Sequence, residues 1–266
     1  CGLRWYKCRT LFAYDMDAKA LSASEEERRA MLTMAYVVSG RLLLGTSFAD
    51  MTPAMVHDLS RTFPYHTERK SARPIDLLER DMPMVYDFEV AKGWHQLCLY
   101  NGRSTSEPIT IELPLSGDRA DGALGLDLAA EYYLYDFWND RFAGRLKGTD
   151  TLRQTLRGGE ARMLSIHKAR AVPQFISTNR HLMQGYLDLA TKPGWDGTDH
   201  TLSGTSTVVA NDAYEIVIAC NGRIPTAVES STGEASLAWK DEGRTIAALT
   251  LQLNKNVEVE WVVRFR

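Results

Sequence analysis

Residues 10–63 alternate strand, helix, strand, helix, yet they hold only two strands. That shortage constrains the chain more than any other feature. Thr10–Tyr14 (TLFAY) is short, apolar and aromatic, as a buried strand is. Ser24 stands three residues before Glu27, a capping-box spacing, and Glu25 and Glu26 suit the positive end of a helix dipole. Leu32, Ala35 and Tyr36, or Met31, Met34, Ala35 and Val38, then recur at helical spacing. Gly40 is placed to end that helix. Arg41–Gly45 (RLLLG) reads as a strand covered on both faces. Thr52 caps a second helix with Pro53 at its first position, Met55, Val56 and Leu59 give it an apolar face, and it stops near Phe63 and Pro64.

Such alternation signals parallel α/β architecture. A closed parallel barrel needs eight strands, and two strands with two helices cannot cover both faces of TLFAY and RLLLG. The expectation is an incomplete barrel edge that either docks on further sequence or packs against something unusual; orphaned, it would expose apolar surface and favour self-association, a possible homo-oligomer.

From about Arg73 the texture changes to short period-2 runs: MVYDFEV, HQLCLYN, ITIELPL, EYYLYDFW, ARMLSIHKA and FIST. Lys92-Gly93, Asn101-Gly102, Ser116-Gly117-Asp118 and Arg157-Gly158-Gly159 punctuate them, which indicates an antiparallel sandwich. From about Tyr186 further strands follow (TSTVVA, YEIVIAC, PTAVES, EASLAWK, TIAALTLQL, VEVEWVVRF), read as a second small sandwich or as part of one larger one. The expected class is mixed: the last two strand-helix units of a (β/α)8 barrel over residues 1–72, an antiparallel β-sandwich over 73–185, and a second over 186–266.

With 266 residues, 24% of them charged, and a formal charge of −3, there is no basic footprint for nucleic acid. No apolar stretch approaches the roughly 20 residues that span a bilayer, so neither nucleic acid nor membrane is expected as a partner. The start, CGLRWYKCRT, carries neither an initiator Met nor an apolar signal region, and it decides nothing about export. Cys1, Cys8, Cys98 and Cys220 match no zinc or redox spacing. Cys98 and Cys220 lie in apolar runs and read as small buried hydrophobes, while Cys1 and Cys8 are left open between pairing together and pairing elsewhere. No GxSxG, P-loop, GxGxxG or HExxH occurs, and neither cofactor nor metal is expected.

Three stretches resemble the α-galactosidase (melibiase) superfamily of glycoside hydrolases. FAYDMDAKALSASEEERRAMLTMAYVVSGRLLLGTSFADMT looks like the family's last two barrel units, YDFEVAKGWHQLCLYN like the first strands of its C-terminal sandwich, and YDFWNDRFAGRLKG with MLSIHKARAVPQFISTNRHLMQGYLDL like later sandwich strands. Together they cover roughly Leu11 to Leu189; their order and spacing carry the resemblance. Met16 departs from the usual Pro between two acids, and Thr46-Ser47 from the usual polar or acidic pair. The resemblance implies retaining, metal-free hydrolysis of a carbohydrate substrate. It also places the nucleophile and the acid/base upstream of residue 1, so no catalytic residue is expected here and the site needs upstream barrel residues or another chain.

Substrate-binding candidates are Asp15, Asp17, Trp5, Thr46 and Ser47. Asp15 and Asp17 follow TLFAY, at the strand end where barrels place functional groups. Two apart on a strand, they would share a side about 6–7 Å apart. A retaining dyad needs about 5–5.5 Å, so shaping a sugar pocket suits them better than catalysis, and turn chemistry suits them better still. Trp5 and Tyr6 could stack on a sugar face or simply pack. Thr46, Ser47 and Asp50 could line the same mouth. His57 and His66 read as surface or loop residues. Trp138-Asn139-Asp140 reads as a β-turn with Phe137 and Trp138 in the core, and Asn179-Arg180-His181 as a hydrogen-bonded corner. Trp94, Trp195, Trp239 and Trp261 alternate with apolar neighbours, which favours the core; exposed and clustered, they would instead favour a non-catalytic glycan-binding or assembly module.

Overall fold

In the computed structural model, residues 2–65, 71–103 and 107–266 are described, the side chains at 2, 3, 18 and 19 aside. His66 and Cys1 lie outside the described residues. The chain is mostly antiparallel sheet with few helices, and it divides into two compact units. Unit 1 comprises Cys1–Tyr132 and Leu146–Leu164, and unit 2 comprises Tyr133–Arg145 and Ser165–Arg266.

Unit 1 begins with a 3₁₀ turn over Gly2–Lys7, then β1 (Asp15–Lys19), α1 (Glu25–Val37), β2 (Arg41–Leu44) and α2 (Pro53–Ser60). β1 and β2 pair in parallel, Asp15 opposite Arg41 and Lys19 opposite Leu44. The helix starts are those the caps require. Ser24 Oγ accepts from Glu27 N and donates to the Glu27 carboxylate, and Thr52 Oγ1 accepts from Met55 N with Pro53 at the first position. The inner sides of the helices meet Leu42 and Leu44 around Leu21, Leu32 and Leu59.

Three expectations change here. The first strand is not Thr10–Tyr14; it begins at Asp15, and residues 8–12 make only an isolated bridge between Cys8 and Phe12. Arg9 takes a left-handed φ of 62°, which breaks an extended run, and Leu11 is 73% exposed. β2 is not covered on both faces: Leu43 is 40% exposed because the helices cover one side only. Gly40 does not end α1. Val38 is the C-cap and Ser39 takes the left-handed position at φ 56°. Glycine is needed at 40 because a Cβ there would lie 2.1 Å from Met16 Cγ.

The rest of unit 1 contains β3 (Arg73–Pro74), β4 (Val85–Ala91) and β5 (Trp94–Tyr100), antiparallel in that order, and β6 (Ile109–Pro114). β7 (Glu131–Asp136), β8 (Arg141–Lys147) and β10 (Ala161–Lys168) each run across the division between units. β9 (Thr151–Leu156) pairs antiparallel with β6, whose Ile111 and Leu113 point inward while Glu112 points out.

Unit 2 carries two four-stranded antiparallel sheets built from β11 (Gln174–Thr178), β12 (Leu189–Asp196), β13 (Thr201–Val208), β14 (Tyr214–Ala219), β15 (Pro225–Ser230), β16 (Glu234–Trp239), β17 (Ile246–Gln252) and β18 (Val257–Phe265). Their orders are β11-β14-β17-β16 and β12-β13-β18-β15. The arrangement is consistent with a β-sandwich. In β18, Val259, Trp261, Val263 and Phe265 are buried at every second position, the period of a strand with one covered face. A polar chain crosses between the sheets: Trp261 Nε1 donates to Ser206 Oγ, Ser206 bonds Tyr214, and Tyr214 Oη donates to Asp188 Oδ2 at 2.8 Å. Tyr133 and Tyr135 pack with Ile176, Val217, Ala219 and Ile246 in a buried cluster.

Candidate functional site

The five sequence candidates divide into separate groups. Asp15 and Asp17 are both exposed. The Asp15 carboxylate accepts from the Asp17 backbone N–H at 2.9 Å, and Asp17 sits at φ 59° in a register break between Asp15 and Ala18. The break removes the two-residue alternation that would set the side chains alongside one another, and the local bond is turn chemistry. Because β1 starts at Asp15, this residue lies at the beginning of the strand.

Thr46 and Ser47 lie past the other end. Thr46 Oγ1 accepts from Leu21 N at 2.8 Å, tying the loop after β2 to the loop after β1. Ser47 Oγ accepts from Ala49 N and caps a 3₁₀ turn over Phe48–Asp50. Asp15 is opposite Arg41, so Thr46 is five residues further along, roughly 16 Å at the strand rise. Trp5 lies in the 3₁₀ turn, its ring edge-on to Tyr6 at 6.3 Å. The structure thus brings Thr46 and Ser47 together and leaves Asp15 and Asp17 at a distance.

Several other residues settle as hydrogen-bonded structure. Asp140 N bonds Phe137 O and Asn139 Nδ2 donates to Asp136 Oδ2, the expected turn after β7. Asn179 joins Ala213 O and Glu215 N, and His181 Nδ1 accepts from Met183 N, the expected corner. Cys98 and Cys220 are fully buried, and burial pushes both thiols up to about 12. Cys8 is buried with its Sγ near Val38 O and Ser39 O. Among the described residues no three His, Cys, Asp or Glu side chains converge as metal ligands.

Sequence reasoning missed the buried charges. Asp58 on α2 receives Arg28 Nη2 at 2.6 Å and Arg29 Nε at 3.1 Å from α1, and His57 Nδ1 lies 3.4 Å away. His95 Nδ1 meets Asp87 Oδ1 at 2.9 Å across the β4–β5 hairpin, both side chains buried. It also missed a polar corner of unit 2. Trp195, half-buried on β12, carries the Arg223 guanidinium over its ring at 5.1 Å, and His200 and Phe265 meet the ring at steep angles. Arg223 donates from Nη1 to His200 Nδ1 at 3.1 Å. Arg223 and Phe265 lie more than twenty residues from Trp195, so no local spacing signals their contact with it.

No protein-family model and no curated protein matches the sequence. Solved structures do. α-Galactosidase I from Mortierella vinacea aligns over 60% of this chain and 41% of its own at 14% identity and a TM-score of 0.46. The Saccharomyces cerevisiae α-galactosidase with raffinose aligns over 59% and 47% at 14% identity and a TM-score of 0.44. The Arthrobacter globiformis T6 isomalto-dextranase complexed with panose aligns over 91% and 45% at 13% identity and a TM-score of 0.42. These neighbours are glycoside hydrolases. The chain spans less than half the length of each.

Proposed function

We propose that the chain is the C-terminal portion of a retaining α-galactosidase-like hydrolase acting on α-linked glycosides. In this reading residues 1–72 are the last part of a (β/α)8 barrel, and upstream barrel residues or another chain supply the nucleophile and acid/base. The observation that carries the reading is the parallel register of β1 and β2 with α1 between them and α2 after, the order that two barrel units would have ahead of antiparallel sheet. The order and spacing of the family-like stretches agree with it. Parallel barrels place their sites at the C-terminal ends of strands, so the loop carrying Thr46 and Ser47 is the part of this chain best placed to meet substrate, ahead of Asp15, Asp17 and Trp5.

The test is the intact mass of the protein from its native source, measured with nitrophenol release from an α-galactoside. A mass well above 29.9 kDa with activity is the expected result. A mass matching the chain, with no release, would overturn it.

A second reading, a non-catalytic sandwich module that binds glycan, is favoured by a different observation. Of the tryptophans on strands of unit 2, Trp261 is buried, whereas Trp195 and Trp239 are partly exposed.

A further inference from the structure

Trp195 lies just before the turn that joins β12 to β13, and its surroundings suit a ligand in four respects. First, the ring is held from several sides yet remains partly open. Phe265 backs it at 5.6 Å and is itself buried, Arg223 lies over it, and His200 meets it at 6.3 Å. Second, the flanks are bare. A side chain at Gly194 would meet nothing within 4 Å, and a Cβ at Gly197 would sit 3.7 Å from Trp195 Nε1.

Third, donors converge. Arg223 gives one N–H to His200 Nδ1; among the described residues its remaining N–H groups have no protein acceptor. An acceptor role at Nδ1 puts the proton of the neutral imidazole on Nε2, a further donor. Fourth, acceptors stand in the same turn. Asp196 Oδ1 is occupied by Thr198 N and Asp199 N, bonds that hold its carboxyl below the usual range, while Asp199 is exposed and close enough to Arg264 to act on its charge.

The charge balance bears on the ligand class. Arg264, which pairs with Glu229 and feels the charge of Asp199, adds its guanidinium to that of Arg223, so the corner sets Asp196, Asp199 and Glu229 against two guanidiniums and has no excess positive charge to draw an anion. A neutral polyhydroxylated molecule needs both donors and acceptors, and its C–H faces suit an aromatic surface. We propose that the Trp195–Arg223–His200 corner of unit 2 is a binding subsite for neutral saccharide chains, with Asp199 as an acceptor. The inference rests on the glycan-binding reading and is independent of the hydrolase one.

Affinity electrophoresis of the full chain in gels containing galactomannan, dextran or polygalacturonate tests it. Retardation by at least one neutral polysaccharide, and none by polygalacturonate, is expected. Trp195→Ala and Arg223→Gln should each lose the retardation while far-UV circular dichroism and the unfolding midpoint are kept. Arg223→Gln leaves the ring and its packing on Phe265 in place, so it decides the matter if Trp195→Ala folds poorly. Equal retardation of the wild-type protein and the Arg223→Gln variant would overturn this site and leave glycan binding elsewhere standing. A wild-type protein retarded in neither neutral gel would overturn both.

Discussion

Asp58 is 1% exposed and is met by two guanidinium groups from α1, so the α1–α2 contact is built around a buried charge. Removing one partner of such a pair leaves the other uncompensated, which costs about 3–5 kcal/mol. Asp58→Ala, which takes away the partner of the buried Arg28 guanidinium, should lose about that much in urea denaturation; Arg28→Ala should lose less because Arg29 still meets Asp58, and so should the Arg28→Met, Asp58→Leu double variant. Asp188 gives a second expectation. Desolvation raises its carboxyl above the ordinary value, against hydrogen bonds from Thr178, Tyr214 and Gly185. The folded state therefore keeps a proton that the unfolded chain, with a carboxyl near 3.9, has already lost. The native state binds more protons in that window, so stability falls as pH rises above about 4. Asp188→Asn should flatten this dependence, as read from urea midpoints across the acid range. The thiols of Cys98 and Cys220, pushed up to about 12, should resist Ellman's reagent at neutral pH and react only in denaturant, since the thiolate is the reactive form.

At the scale of elements, helix caps and alternation were the legible part of the sequence. Ser24 and Thr52 cap where their spacing places them, and PTAVES and VEVEWVVRF coincide with β15 and β18. Ser24→Ala should cost about 1 kcal/mol and Ser24→Gly only a few tenths, measured by thermal unfolding. The failures have a common physical source. TLFAY has strand composition, but the backbone at Arg9 and the bulge at Asp17 are set by tertiary packing, including the approach of Met16 to Gly40. β9 went unread, and β8 was read only within a family-like stretch, because RFAGRLK and TLRQTL are too polar to show an apolar period. The site was less legible than the fold. Trp195 was visible as an aromatic among apolar neighbours, but Arg223 and Phe265 reach it through the fold and not along the chain.

Taken whole, the molecule keeps an apolar exterior in its first sixty-five residues. Leu11, Phe48 and Val56 are 73%, 80% and 50% exposed, and Leu43 adds to them on the open side of β2. Joined in one patch, such side chains are unusual on a monomer. The full chain should therefore bind a hydrophobic dye and associate in sedimentation, and Leu43→Lys with Phe48→Ser should reduce both. The path of the chain also governs how the protein can be dissected. The division between units falls within β7, β8 and β10, so the backbone passes from one unit to the other three times, at 132/133, 145/146 and 164/165. No single stop codon or protease cut can therefore release either unit whole. A gene segment encoding 165–266 omits Tyr133 and Tyr135 from the cluster they share with Ile176 and Val217; to express unit 2 alone, the 133–145 segment would have to be spliced back in as a permuted extension.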